Sequence, residues 1–137
     1  MSQELLAKIA PALDVVAKNA CLFIGPRTRP RRVVSITAMK TLKIEYEDGK
    51  KEYAAPHLIH RFTICIYEPK DLPSLAAALD TIAKNAFLYG GARSRPRRVV
   101  AVTAETTLKI VYDDGSSQYI GGRQKRYFVV YMKPKFA

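Results

Sequence analysis

The chain has 137 residues, of which 48% are apolar and 26% charged, a globular composition that argues against wholesale disorder. Lysine and arginine number 23 against 12 aspartates and glutamates, a formal net charge of +11 that attracts polyanions and disfavours cationic partners. No apolar run approaches the roughly 20 residues of a membrane span, and Met1–Lys8 lacks the features of a secretory signal. These observations predict an intracellular protein, cytoplasmic or nuclear, with no membrane partner.

Displacing the sequence by 66 residues lays Leu13–Ile64 over Leu79–Val130 without a gap, and half of the aligned pairs are identical. Two units are therefore expected, 1–68 and 69–137. Each is predicted to hold one helix and about five antiparallel strands, a mainly β, α+β arrangement. In the second unit Asp71-Leu72-Pro73 supplies a cap and a first-turn proline, and Leu75, Ala78, Leu79 and Ile82 recur at helical spacing. Ile9, Ala12, Leu13 and Val16 align with them. Pro11 falls inside that stretch and predicts a kink or restart.

First strands are predicted at Ala20–Ile24 and Ala86–Tyr89, and second strands near Arg31–Ala38 and Arg97–Ala104. The third strands alternate, with Leu42, Ile44 and Tyr46, or Leu108, Ile110 and Tyr112, on the apolar face. Asp48-Gly49 and Asp114-Gly115 predict type I′ hairpins. Short fourth strands hold Tyr53 and Tyr119. Fifth strands, Phe62–Tyr67 and Tyr127–Met132, are apolar on both faces, as packing on a helix or the sister unit requires. Units this small, joined by Glu68–Asp71, are expected to dock as one body with approximate two-fold symmetry. Lys133–Ala137 reads as a frayed tail.

The run Arg98–Thr103 through Thr107–Gly115 resembles the central hairpin of SH3-like small barrels, notably Tudor domains. The helix-then-strands order is similar to the Sm-like barrels of RNA-binding proteins. This resemblance covers roughly 30 residues of each unit and implies a docked pair of small barrels. A duplicated sheet-plus-helix similar to the Whirly and Pur-type single-strand binders is the second architecture.

The outstanding functional signal is a duplicated arginine segment, Arg27, Arg29, Arg31 and Arg32, then Arg93, Arg95, Arg97 and Arg98. Neither Leu22–Thr41 nor Phe87–Ala104 contains an acid. Guanidinium forks match phosphate oxygens and stack on bases. Pro30 and Pro96 favour extended backbone, so successive side chains point to opposite sides. Lys43 and Lys109 extend the basic set along the third strands. Arg123, Lys125 and Arg126 add to it in a loop opened by Gly121-Gly122, which makes the second unit the expected dominant contact. Phe23 and Tyr89, which precede the arginines, and Tyr127 and Tyr131 on the last strand serve either as stacking platforms or as core.

The expected function is phosphate-directed binding of RNA or single-stranded DNA. The alternative is a module gripping an acidic protein partner, as a small phage or plasmid protein binding a host factor would. No catalytic motif, cofactor signature or metal-ligand spacing is present, and Cys21 and Cys65 read as packed thiols. His57 and His60 are replaced by Arg123 and Arg126 in the sister unit, so neither belongs to a duplicated site.

Overall fold

A computed structural model describes residues 3–24, 30–54, 61–90, 96–120, 123 and 125–132. Its elements run α1 (Gln3–Asn19), β1 (Cys21–Ile24), β2 (Arg31–Ala38), β3 (Leu42–Tyr46), β4 (Lys51–Ala54) and β5 (Arg61–Ile66). They continue with α2 (Leu72–Asn85), β6 (Phe87–Gly90), β7 (Arg97–Ala104), β8 (Leu108–Tyr112), β9 (Ser117–Ile120) and β10 (Arg126–Tyr131). The strands form one antiparallel sheet of ten, in the order β4-β3-β2-β1-β5-β10-β6-β7-β8-β9.

This arrangement corrects the expectation of two docked small barrels. A barrel must close the free edge of its outermost strand onto its own unit. Here β5 pairs with β1 on one side and with β10 on the other, while β10 pairs with β6. Each fifth strand thus gives its second edge to its counterpart, and the halves merge into one sheet over one apolar core.

The register locates the symmetry axis. Thr63 lies opposite Val129, its own counterpart in the repeat, and the flanking pairs Phe62–Val130 and Ile64–Phe128 exchange under the same operation. A two-fold axis perpendicular to the sheet therefore passes between Thr63 and Val129.

Both helices lie on one face, α1 against β1 and β2, α2 against β6 and β7, and they touch each other near the axis. Neither is long and apolar enough to cross a membrane. Their inner residues, Ile9, Leu13 and Val16, then Leu75, Leu79 and Ile82, are fully buried against one parity of the strands. The start of α2 and the alternation of the third strands expected from the sequence are visible here. Asp71 caps α2 by accepting from the Ser74 amide at 3.2 Å and its hydroxyl at 2.8 Å, which holds the carboxyl below its usual range. Helix α1 runs unbroken through Pro11, without the expected restart. Pro11 and Ala7 both face solvent, so water can serve the carbonyl that proline leaves unpaired, while the buried face continues undisturbed.

The hairpins differ from type I′. Gly49 and Gly115 have φ of +87°, but the aspartates before them do not have positive φ. The Gly49 amide donates to the Tyr46 carbonyl, and the Tyr46 amide to the Lys50 carbonyl. This is a type I turn followed by a left-handed glycine, the three-residue alternative that also suits Asp-Gly.

A β-bulge occurs in each second strand, between Val33 and Ser35 and between Val99 and Ala101. Just past it, an aspartate of the overlying helix accepts a strand amide. Ile36 donates to Asp14 and Val102 to Asp80, each at 3.0 Å. Lys18 and Lys84, one turn along, pair with the same carboxylates. Helical spacing alone does not disclose this duplicated tie between helix and bulge.

The sheet also curls: β9 and β10 are four strands apart in the sheet order, yet residues of both border one cleft. Gly90 permits the packing beneath. A Cβ there would stand 2.7 Å from the Phe128 ring and 3.3 Å from the Tyr112 hydroxyl.

Two stability predictions follow from this packing. Asp80→Ala strands the part-buried Val102 amide and should cost about 1–3 kcal/mol in urea unfolding, whereas Asp80→Asn, which keeps an acceptor, should cost less. Gly90→Ala should cost about 1–3 kcal/mol by overpacking Phe128, and an unchanged unfolding midpoint would contradict the contact.

Candidate nucleic-acid interface

Directly opposed residues of an antiparallel pair share a face, so the registers sort every strand side chain. The helix-covered face takes the core residues. The other face carries Phe23, Cys21, Thr63, Cys65, Val129, Tyr131, Tyr89 and Phe87 across its centre. All of these are half-buried, and among the described residues no helix or strand lies over them. Cys21 and Cys65 face each other across β1 and β5 as free thiols on this open face, not in the core.

Cations flank the aromatic centre symmetrically. Arg32 lies opposite Phe23, and Arg98 opposite Tyr89. Further out, Lys43 lies between Thr37 and Tyr53, and Lys109 between Thr103 and Tyr119. Arg61 stands opposite Tyr131 near the axis. Sequence reasoning missed Arg61, Tyr53 and Tyr119 as members of this face, whereas Tyr131 was among the expected stacking aromatics. Two-residue alternation was the available signal, but it does not say which strands adjoin.

Tyr53 and Tyr119 on the outermost strands are 60% and 57% exposed, and Tyr127 on the central strand β10 is 57% exposed. Nearer the centre Tyr89 and Tyr131 meet edge to face, with ring centroids 5.8 Å apart. The Arg98 guanidinium lies 4.8 Å from the Phe87 ring centroid, and its buried Nε makes no hydrogen bond among the described residues.

The halves differ in charge compensation. Arg32 meets Glu47 and Lys43 meets Glu45, each at 3.4 Å. In the second half Val111 replaces Glu45. Among the described residues neither Arg98 nor Lys109 forms an ion pair, and the Lys109 ammonium sits 5.9 Å from the Tyr119 ring.

The remaining arginines do not join this face. Arg31 and Arg97 point to the helix side, where their guanidinium carbons lie 3.6 Å and 3.8 Å from the ring centroids of Tyr46 and Tyr112. Arg97 also donates to the Ser116 hydroxyl at 2.8 Å. Arg126 shares that side, since it opposes the core residue Ile66. Arg123 pairs with Glu68 at 3.4 Å, and Lys125 sits at the β10 entrance with its ammonium 5.9 Å from the Tyr67 ring. Arg27, Arg29, Arg93 and Arg95 lie outside the described residues, as do His57, His60, Gly121, Gly122 and Lys133–Ala137. The predicted single arginine track is thus divided between two faces by strand alternation.

No protein-family model, curated protein or solved structure matches the chain, so neither the small-barrel nor the Whirly and Pur resemblance gains support there.

Burial raises the pKa of Tyr46 and of Tyr112 above the usual tyrosine value. The Glu52 charge adds to this at Tyr46, while Arg97 opposes it at Tyr112. Folding therefore favours both neutral phenols. Their contribution to stability is complete below the unfolded-state value near 10 and is lost as pH rises through the folded-state values. Alkaline titration by ultraviolet absorbance should show Tyr46 and Tyr112 ionising above the usual tyrosine value, each assigned with its Tyr→Phe variant.

Proposed function

We propose that the open sheet face binds single-stranded nucleic acid, RNA or DNA, inside the cell and without catalysing a reaction on it. The observation that carries this reading is the repeated adjacency of a cation and an aromatic ring across the helix-free face. Arg32 with Phe23, Arg98 with Tyr89, Lys43 with Tyr53 and Lys109 with Tyr119 form a symmetric series along the sheet.

The chemistry suits single strands. Phosphates are held by cations, while unstacked bases find aromatic faces, each worth about 1–3 kcal/mol by alanine substitution. A duplex keeps its base faces stacked and can use only the charges. The half-buried central rings are already ordered by their neighbours, so little side-chain entropy is lost on contact. The second half, with Arg98 and Lys109 unopposed by ion pairs among the described residues, supplies the stronger electrostatic contact.

Fluorescence anisotropy with labelled oligo(U), oligo(dT) and a matched duplex tests this. Single strands should bind more tightly than the duplex, with log affinity falling against log salt by about 0.7 per phosphate contacted. Tyr53→Ala with Tyr119→Ala should weaken binding by about 1–3 kcal/mol per stacked base. Arg98→Ser with Lys109→Ser should weaken it and flatten the salt slope. Affinity weaker than about 1 mM at low salt for every oligonucleotide would overturn the reading. So would tighter capture of an acidic polypeptide than of any nucleic acid, with the tyrosine variants indistinguishable from the parent.

A further inference from the structure

On the helix-side face of the second half lies a cleft of about 410 Å³, bordered by Arg97, Tyr112, Gln118, Lys125, Arg126 and Phe128 among others. We propose that it is a binding site for a phosphate monoester of about mononucleotide size, distinct from the open sheet face. Its volume falls within the roughly 300–1,000 Å³ typical of small-ligand sites. The donors are three cationic side chains from two regions of the chain, and apolar surface is supplied by Phe128 and Ile120.

The geometry favours an anion. Stacking on Tyr112 and the bond to Ser116 hold the Arg97 guanidinium in place while engaging one of its five N–H donors in that bond. Tyr112 donates its hydroxyl proton to Gln118 Oε1 at 2.8 Å, which leaves the Gln118 amide NH2 as the donor end of that side chain. Asp114, beside the Ser116 that Arg97 contacts, is itself engaged by the Ser116 amide and hydroxyl and does not border the cleft.

The first half provides an internal comparison. There Arg31 stacks on Tyr46 in the same way, but Tyr46 donates to Glu52, the counterpart of Gln118, at 3.3 Å. A carboxylate accepts only and repels a phosphate, whereas an amide of the same shape also donates. The counterparts of Lys125 and Arg126 are Ile59 and His60. Exchange of Glu for Gln, Ile for Lys and His for Arg all moves the second half towards anion binding. Tyr127, which also borders the cleft, stands where the first half has Arg61, so there a cation is exchanged for a ring suited to a planar body.

The shared chemistry, a terminal phosphate with a planar body, comes either from a free nucleotide or from the 5′ end of a strand. Calorimetry with adenosine monophosphate, and anisotropy with a 5′-phosphorylated oligonucleotide against its 5′-hydroxyl form, distinguish these sources. The inference does not depend on the open face. Gln118→Glu should weaken the phosphate-dependent binding at least about tenfold, near 1.4 kcal/mol of like-charge repulsion. Lys8→Gln, which lowers net charge equally at an exposed helical position, should leave it unchanged. Lys125→Gln provides a second variant at an exposed position should Gln118→Glu fold poorly. Nucleotide binding lost in Gln118→Glu supports a free nucleotide. A preference for the phosphorylated strand that is lost in the same variant supports a strand end. Equal weakening by Gln118→Glu and Lys8→Gln would overturn the proposal. So would the combination of nucleotide affinity weaker than about 1 mM and no 5′-phosphate preference.

Discussion

Both faces of this molecule are positioned by the pairing of β5 with β10. The strands are apolar on the helix side, where Phe62 faces Val130 and Ile64 faces Phe128, all buried. Their other sides carry Thr63, Cys65, Val129 and Tyr131, which form the middle of the open face. Removing the pairing would expose two long apolar edges and part the helices that meet beneath it. A unit of this size buries a modest fraction of its surface alone, and sharing one sheet lets two such units complete a common core.

Continuity of the sheet also sets the electrostatics. Because the axis passes between Thr63 and Val129, Arg32 and Lys43 on one half have Arg98 and Lys109 as counterparts on the other, and this positive charge is distributed along one surface. The charge is nevertheless unequal in effect. Glu45 and Glu47 temper Lys43 and Arg32, while Val111 leaves Lys109 without a neighbouring acid on its own strand. Glu52 and Gln118 repeat the contrast on the helix side. Duplication has preserved the scaffold, including the Asp14 and Asp80 ties to the bulges, while the polar positions around it have diverged in charge.

Several elements were legible in the sequence because they depend on neighbours in the chain. The alternation of Leu42, Ile44 and Tyr46 marks a half-buried strand wherever that strand sits. Asp71, Pro73 and the spacing of Leu75, Leu79 and Ile82 mark α2 for the same reason. The turn at Asp48-Gly49 was legible as a hairpin but not as a turn type, since a left-handed glycine suits more than one. Pro11 misled, because whether a proline interrupts a helix depends on which side its missing bond faces.

The sequence by itself determined the duplication, the basic character, the start of the second helix and the parity of the third strands, all of which are readable from side-chain order along the chain. Only the tertiary structure decided that β5 pairs with β10 instead of closing its own unit, since a strand edge carries no label for its partner. That choice merged two halves into one sheet and sent Arg32 and Arg98 to the open face. It left Arg31 and Arg97 beside buried tyrosines on the other, because alternation separates neighbours whose charge looks continuous when read along the chain.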